Sequence, residues 1–119
     1  MSTVVEGLRA AMADAMRARD RGRLRAIRSA LGAIDNAAAI PAVEFDTASG
    51  AGPIAGAAIG VGATEVTRRH LTDEDIAAIV RMQIAEHRAQ AIELDRLGQA
   101  EAADALRRDA DVLDVILTS

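Results

Sequence analysis

Cysteine, tryptophan, tyrosine and lysine are absent from this chain, and Phe45 is its one aromatic residue. Without cysteine there is no disulfide, no thiolate metal site and no thiol nucleophile. A core with so few aromatic side chains must be aliphatic, and an alanine-rich aliphatic composition is typical of closely packed helices. These absences predict an all-α protein in a reducing compartment, which we expect to be the cytoplasm.

Long apolar runs are also missing. The first twenty residues carry charges throughout and lack the apolar segment of a secretory signal. The longest uncharged stretch, Thr47–Thr64, contains five glycines and is too polar to span a bilayer. A chain of 119 residues is long enough to bury a core without disulfides or metals, so we expect one domain covering residues 1–119 and no membrane segment.

The charge is divided unevenly along the chain. The net charge is −4, and all 14 basic residues are arginine. Residues 1–40 carry seven arginines against four acidic residues, whereas residues 41–119 carry seven arginines against fourteen. An acidic protein is not a general nucleic-acid binder, so any contact with an anionic partner should use the N-terminal third.

Apolar residues at helical spacing predict two helices on each side of a long loop. The first helix starts at Thr3, and Asp20 is the predicted N-cap of the second, which Pro41 ends. After a glycine-rich loop at about 41–70, Thr72 and Asp75 form a predicted capping box, and Gly98 ends the third helix. The predicted inward positions, helix by helix, are Val5, Leu8, Met12, Ala15 and Met16; Leu24, Ile27, Leu31, Ile34 and Ala38; Ile76, Ile79, Val80, Gln83, His87, Ala91 and Leu94; and Ala102, Leu106, Ala110, Leu113 and Leu117.

The short connections at Asp20 and Gly98 favour antiparallel helix pairs. The predicted fold is therefore an all-α, four-helix domain of two antiparallel helical hairpins, with a long Gly-rich loop between helices 2 and 3.

Four segments resemble the GatB/YqeY family, and they occur in the family's order. The first reads Ala-Met-Arg-Ala-Arg-Asp at residues 15–20, followed by Arg23-Leu24 and Ile27-Arg28. The others are Leu-Thr-Asp-Glu-Asp at residues 71–75, the stretch Glu86-His87-Arg88 with Ala91, and Leu97-Gly98-Gln99 with Glu101 and Ala103. The similarity covers about three quarters of the chain and leaves out the loop at 41–70, which is longer than the family's usual connection.

The resemblance implies an all-α fold and kinship with the tail of the GatB subunit of tRNA-dependent amidotransferase. That tail helps to hold tRNA, while other domains of the enzyme perform the chemistry. The family's label of carbon–nitrogen ligase with glutamine as amide donor would thus be inherited, and we do not expect it as an intrinsic activity here. Family members continue into a small second helical domain; since this sequence ends at Leu117-Thr118-Ser119, we expect that domain not to be part of it.

An arginine cluster near the second helix is the first candidate site. Arg21, Arg25 and Arg28 are spaced four and three residues apart on one flank of this helix, and Arg17 and Arg19 precede it. Guanidinium groups in a row suit a phosphate backbone or an acidic partner. The competing interpretation is an ordinary solvated face whose arginines pair with Asp14, Asp20 and the acidic third and fourth helices. We favour this second interpretation, because charge pattern alone is weak evidence for a binding site.

Gln83 and His87 form the second candidate site, one turn apart on the apolar face of the third helix. A buried histidine could act as a general base or switch a contact near neutral pH. The interpretation we favour is a structural hydrogen-bonded pair that sets the helix register, with Asp35 or Asn36 as a further partner.

The sequence contains no recognisable motif for metal binding, a phosphate-binding loop or nucleophilic catalysis. His70 and His87 belong to no metal-binding pattern, the loop glycines precede no Lys-Ser/Thr, and no serine stands in a nucleophile elbow. We therefore expect no metal, no cofactor and no catalytic residue, and a binding module in preference to an enzyme. The first hypothesis is a module that binds tRNA or a tRNA-handling protein. The second is a protein-interaction module or homo-oligomer that uses Ile92, Val112 and Val115. The third is an enzyme that uses His87.

Overall fold

In a computed structural model, residues 3–39 and 70–119 are described, and all secondary structure in these ranges is α-helical. The helices are α1 (Thr3–Ala18), α2 (Arg21–Ala39), α3 (Asp73–Arg96) and α4 (Ala100–Thr118). The predicted all-α class and the four helices are therefore confirmed for this part of the chain. The predicted loop lies, apart from His70, outside the described residues.

The ends of α1 and α2 show how local sequence sets the helix boundaries. Arg19 has a positive φ of 57° and Asp20 donates its backbone N–H to Ala15 O at 2.9 Å, while the Arg19 N–H donates to Met16 O at 3.2 Å. These two bonds form a Schellman motif that ends α1. The Asp20 carboxylate then accepts the Arg23 backbone N–H at 3.1 Å, so Asp20 caps α2 as predicted.

The ends of α3 follow the predicted signals as well. The Thr72 hydroxyl accepts the Asp75 backbone N–H at 3.0 Å, and the Asp75 carboxylate accepts the Thr72 N–H at 3.0 Å. At the other end, Gly98 has φ 78°, and Gln99 and Gly98 donate to Leu94 O and Asp95 O in a second Schellman motif. Both the capping box and the glycine stop are confirmed.

The chain divides into two compact units, Met1–Ile34 with Thr72–Ser119, and Asp35–Leu71. Of the second unit the structure describes the last turn of α2, His70 and Leu71. In the first unit, α3 and α4 pack against each other and α1 packs against both. The buried apolar side chains of this unit are Leu8, Ala15, Ala26, Ile27, Ala30, Ile34, Ile76, Val80, Ile84, Ala91, Ala103, Ala110 and Leu113.

Some predicted inward positions are wrong. Met16 is 54% exposed although Ala15 beside it is fully buried, so the inward stripe of α1 ends at Ala15. In α4, Ala102 is exposed and Ala103 is buried, so the inward stripe of this helix starts one residue later than predicted. Ile84 in α3 is a core residue that the predicted stripe left out.

Within residues 3–39 and 70–119, none of the helices combines the length and the apolar character that a membrane span needs.

Candidate functional site

The arginines at α2 lie where the sequence predicts, on one flank of the helix. Arg21, Arg25 and Arg28 are exposed and, with Leu24 and Ser29, line a surface groove of about 670 Å³. We call Arg21, Arg25 and Arg28 the α2 arginine face. The spacing of four and three residues puts the three Cβ atoms on neighbouring turns of the same side of the helix.

Arg25, in the middle of this face, is not free. Its Nε and Nη2 donate to the two carboxylate oxygens of Asp109 at 3.2 and 3.0 Å. The Asp109 side chain is 8% exposed and the Arg25 side chain 60% exposed, so a solvated guanidinium covers a buried carboxylate. The hydrogen bonds and the charge of Asp109 raise the pKa of Arg25 above its ordinary value. Arg25 thus links α2 to α4, as the competing interpretation allowed, although spacing and periodicity could not identify Asp109 as the partner.

The remaining predicted arginines divide into paired and unpaired groups. Arg17 forms an exposed ion pair with Asp14, three residues before it on α1. Arg19, Arg21 and Arg28 are exposed and form no ion pair with any of the described residues. Of the pairs that the competing interpretation named, Arg17 with Asp14 and Arg25 with the acidic fourth helix are observed, whereas Asp20 serves as a helix cap.

A second network of arginines and acidic residues joins α3 to α4. Arg107 donates to Asp95 at 2.8 Å and to Asp104 at 2.6 Å, and Arg88 contacts Asp111 at 3.3 Å and Asp114 at 3.4 Å. The hydrogen bond from Arg107 lowers the pKa of Asp95, and the two carboxylates raise that of Arg107. These arginines are neutralised by acidic residues, so they add little attraction for an anionic partner.

Gln83 and His87 do not form the predicted hydrogen-bonded pair. The Gln83 side-chain oxygen accepts the Ser29 hydroxyl at 3.2 Å, which joins α3 to α2. Both imidazole nitrogens of His87 are buried and have no hydrogen-bond partner among the described residues. The two side chains are half-buried on one face of α3, but they act separately, because the Gln83 oxygen is directed to α2. A buried imidazole is also not accessible to a substrate, so this geometry does not favour a general base.

Buried Asp109 is the residue that sequence reasoning missed. The sequence pattern indicates only that the fourth helix is acidic, whereas Asp109 is buried with Ala103, Ala110 and Leu113 on the inward side of α4. An aspartate next to core alanines indicates a buried carboxylate only weakly, because its burial requires a cation from another helix to offset the loss of hydration. No group of three or more acidic or histidine residues suited to a metal ion occurs in residues 3–39 and 70–119.

Comparisons with protein-family models, curated proteins and solved structures return no match for this chain.

Proposed function

We propose that this protein is a non-catalytic binding module whose α2 arginine face contacts the phosphate backbone of an RNA, with tRNA as the expected ligand. The observation that carries this proposal is that Arg21 and Arg28 are accessible and are not neutralised by described acidic residues. Both are exposed, both line the same groove, and neither has an acidic partner among the described residues. Unpaired guanidinium groups on a rigid helix are suited to bidentate hydrogen bonds with phosphate oxygens.

The type of recognition follows from what surrounds these arginines. Leu24 and Ser29 complete the groove, and none of the described residues that line it has an aromatic side chain for base stacking. Binding should therefore rest on phosphate contacts, with modest affinity, little sequence preference and a strong dependence on salt. Arg19 extends the positive surface into the α1–α2 turn, because it is exposed and unpaired there.

The resemblance to GatB/YqeY proteins supports tRNA as the partner. We propose membership of that family, with the two antiparallel hairpins that it implies and a cytoplasmic location. A carbon–nitrogen ligase activity is not part of the proposal, because the arginine face offers phosphate contacts and no nucleophile or base.

The test is fluorescence anisotropy of labelled tRNA at a series of salt concentrations, using Arg21→Gln/Arg28→Gln. Each lost phosphate contact makes the negative slope of log binding constant against log salt concentration shallower by about 0.9. The slope of the double variant should therefore be shallower by almost 2. Arg25 is left intact because its removal would also disturb the contact with Asp109.

The matched control is Arg9→Gln/Arg81→Gln, which removes the same charge from two other exposed, unpaired arginines. This variant should keep the wild-type slope within about 0.5, since neither residue belongs to the α2 arginine face. Equal losses in both variants would mean that binding responds to net charge alone. An absence of binding at low salt would exclude the RNA proposal.

The alternative function is a protein-interaction module or homodimer without a role in RNA binding. It is favoured by Ile92 and Val115, which are 55% and 67% exposed, whereas Val112 is half-buried. Exposed aliphatic side chains on two adjacent helices are common at protein interfaces. A mass that rises with concentration and returns to the monomer value in Val115→Asp would support this alternative; a constant monomer mass would exclude the homodimer.

A further inference from the structure

A second cavity lies between the start of α2 and the middle of α4. It has a volume of about 500 Å³, within the range of small-molecule sites. Gly22, Arg23 and Arg25 line it from α2, and Ala105, Arg108 and Val112 line it from α4. Arg23 stands two residues from both Arg21 and Arg25, so its Cβ leaves α2 on the opposite side from theirs, but the long Arg25 side chain lines this cavity as well.

Three aspartates also line this cavity, but the structure already uses each of them. Asp20 accepts the Arg23 backbone N–H at the helix cap, at 3.1 Å. Asp109 accepts both donors of Arg25, and Asp111 contacts Arg88 at 3.3 Å. The carboxylates are therefore engaged, while the guanidinium groups of Arg23 and Arg108 have no acidic partner among the described residues.

The burial of Arg23 sets it apart from the other unpaired arginines. Among the described residues, every other arginine without an ion pair is exposed, whereas Arg23 is half-buried. Withdrawing a guanidinium from water without an acidic partner is unfavourable, so this position gains most from an anion. Arg108 lines the same cavity from the opposite helix, so an anion placed there could contact two guanidinium groups.

The rest of the lining adds two features. Gly22 is in the first turn of α2, where backbone N–H groups point out of the helix and the dipole favours negative charge. Ala105 and Val112 form an apolar wall beside the arginines. The volume exceeds what a bare phosphate ion fills, so the wall would accommodate the organic part of a ligand.

We propose that this cavity binds a small organic phosphate, whose phosphate group is held by Arg23 and Arg108 and whose apolar part lies against Ala105 and Val112. The phosphate contact proposed here uses Arg23 and Arg108, whereas the RNA contact proposed above uses Arg21 and Arg28. Arg25 lines both the cavity and the groove, and it is bound to Asp109.

The test is a titration of the ¹⁵N-labelled full chain with phenyl phosphate, inorganic phosphate and phenol at constant ionic strength. Phenyl phosphate should produce saturable shifts of the Gly22, Arg23, Ala105 and Arg108 amides. Inorganic phosphate should shift the same amides with weaker affinity, because it lacks a group for the apolar wall. Phenol should leave them unchanged, because the site requires an anion.

Two variants identify the residues. Arg23→Gln and Arg108→Gln should each weaken phenyl phosphate binding about tenfold, the typical effect of losing one charge-assisted hydrogen bond to a ligand. Arg9→Gln removes the same charge from α1 and should keep the wild-type affinity. The amide spectra show directly whether each variant remains folded. Shifts that do not saturate, an affinity unchanged in Arg23→Gln, or an equal loss in Arg9→Gln would overturn the proposal.

Discussion

Removal of Arg25 should destabilise the protein through the carboxylate that it leaves behind. In Arg25→Ala, the Asp109 carboxylate remains at a position where its side chain is 8% exposed, and it loses both of its hydrogen-bond donors. Hydrogen bonds to charged groups contribute roughly 1.5–3 kcal/mol, and an unpaired buried charge can cost 3–5 kcal/mol. Since Arg25 is 60% exposed, water can enter once its side chain is gone, so we expect a loss of about 2 kcal/mol.

The double variant separates the pair from its surroundings. Arg25→Ala/Asp109→Ala removes the stranded carboxylate together with its partner, so its stability should fall by much less than the sum of the single losses. The coupling energy from the double-mutant cycle should be about 1.5–2 kcal/mol. Urea unfolding followed by circular dichroism measures each of the four proteins.

The Arg88–Asp111 pair provides a matched control in the same molecule. Its side chains are 48% and 73% exposed and its contact is 3.3 Å, so the same cycle should yield no more than about 0.5 kcal/mol. A coupling energy for Arg25 and Asp109 as small as that of the control would refute the reasoning. It would mean that the buried oxygens of Asp109 find other partners in solution.

Three further perturbations address the turns, the buried histidine and pH. Arg19 and Gly98 occupy the same left-handed position in two Schellman motifs. Because glycine adopts this conformation without steric cost, Arg19→Gly should raise the unfolding free energy by about 1 kcal/mol and Gly98→Ala should lower it by a similar amount. Urea unfolding that showed both changes in the same direction would contradict this. His87→Leu removes two buried nitrogens without partners and should stabilise by about 1 kcal/mol, whereas a loss in thermal unfolding would show that they are hydrogen-bonded in solution. Arg107 lowers the pKa of Asp95 in the folded state, so the stability that this pair adds is present above about pH 4 and is lost as the pH falls through the lower pKa of the folded state. The unfolding free energies of wild type and Arg107→Gln should therefore differ at about pH 7 and converge in strong acid. A difference that stays constant with pH would exclude the linkage.

The helices and their ends could be predicted because their causes are local. A capping carboxylate, a capping box and a glycine stop act within four or five residues, so Asp20, Thr72 and Gly98 are recognisable without any neighbour from elsewhere in the chain. Helical periodicity also identified most inward positions, since Leu8, Ile27, Val80 and Leu113 recur at the spacing of a buried stripe. Arg19 is the exception among the turns: its positive φ is set by the Schellman bonds of α1, in a position where sequence alone would suggest glycine.

The candidate sites depended on packing, which no local pattern contains. Spacing correctly placed the α2 arginines on one flank, but only the approach of α4 decides that Arg25 binds Asp109 while Arg21 and Arg28 remain unpaired. In the same way, Gln83 and His87 share a face by sequence, yet the position of α2 directs Gln83 to Ser29 and leaves the histidine nitrogens without partners. The sequence by itself determined the helices, because backbone hydrogen bonds and caps are local. Tertiary structure decided which charges are neutralised and which stay available for a ligand, because ion pairs and burial depend on side chains up to 84 residues apart.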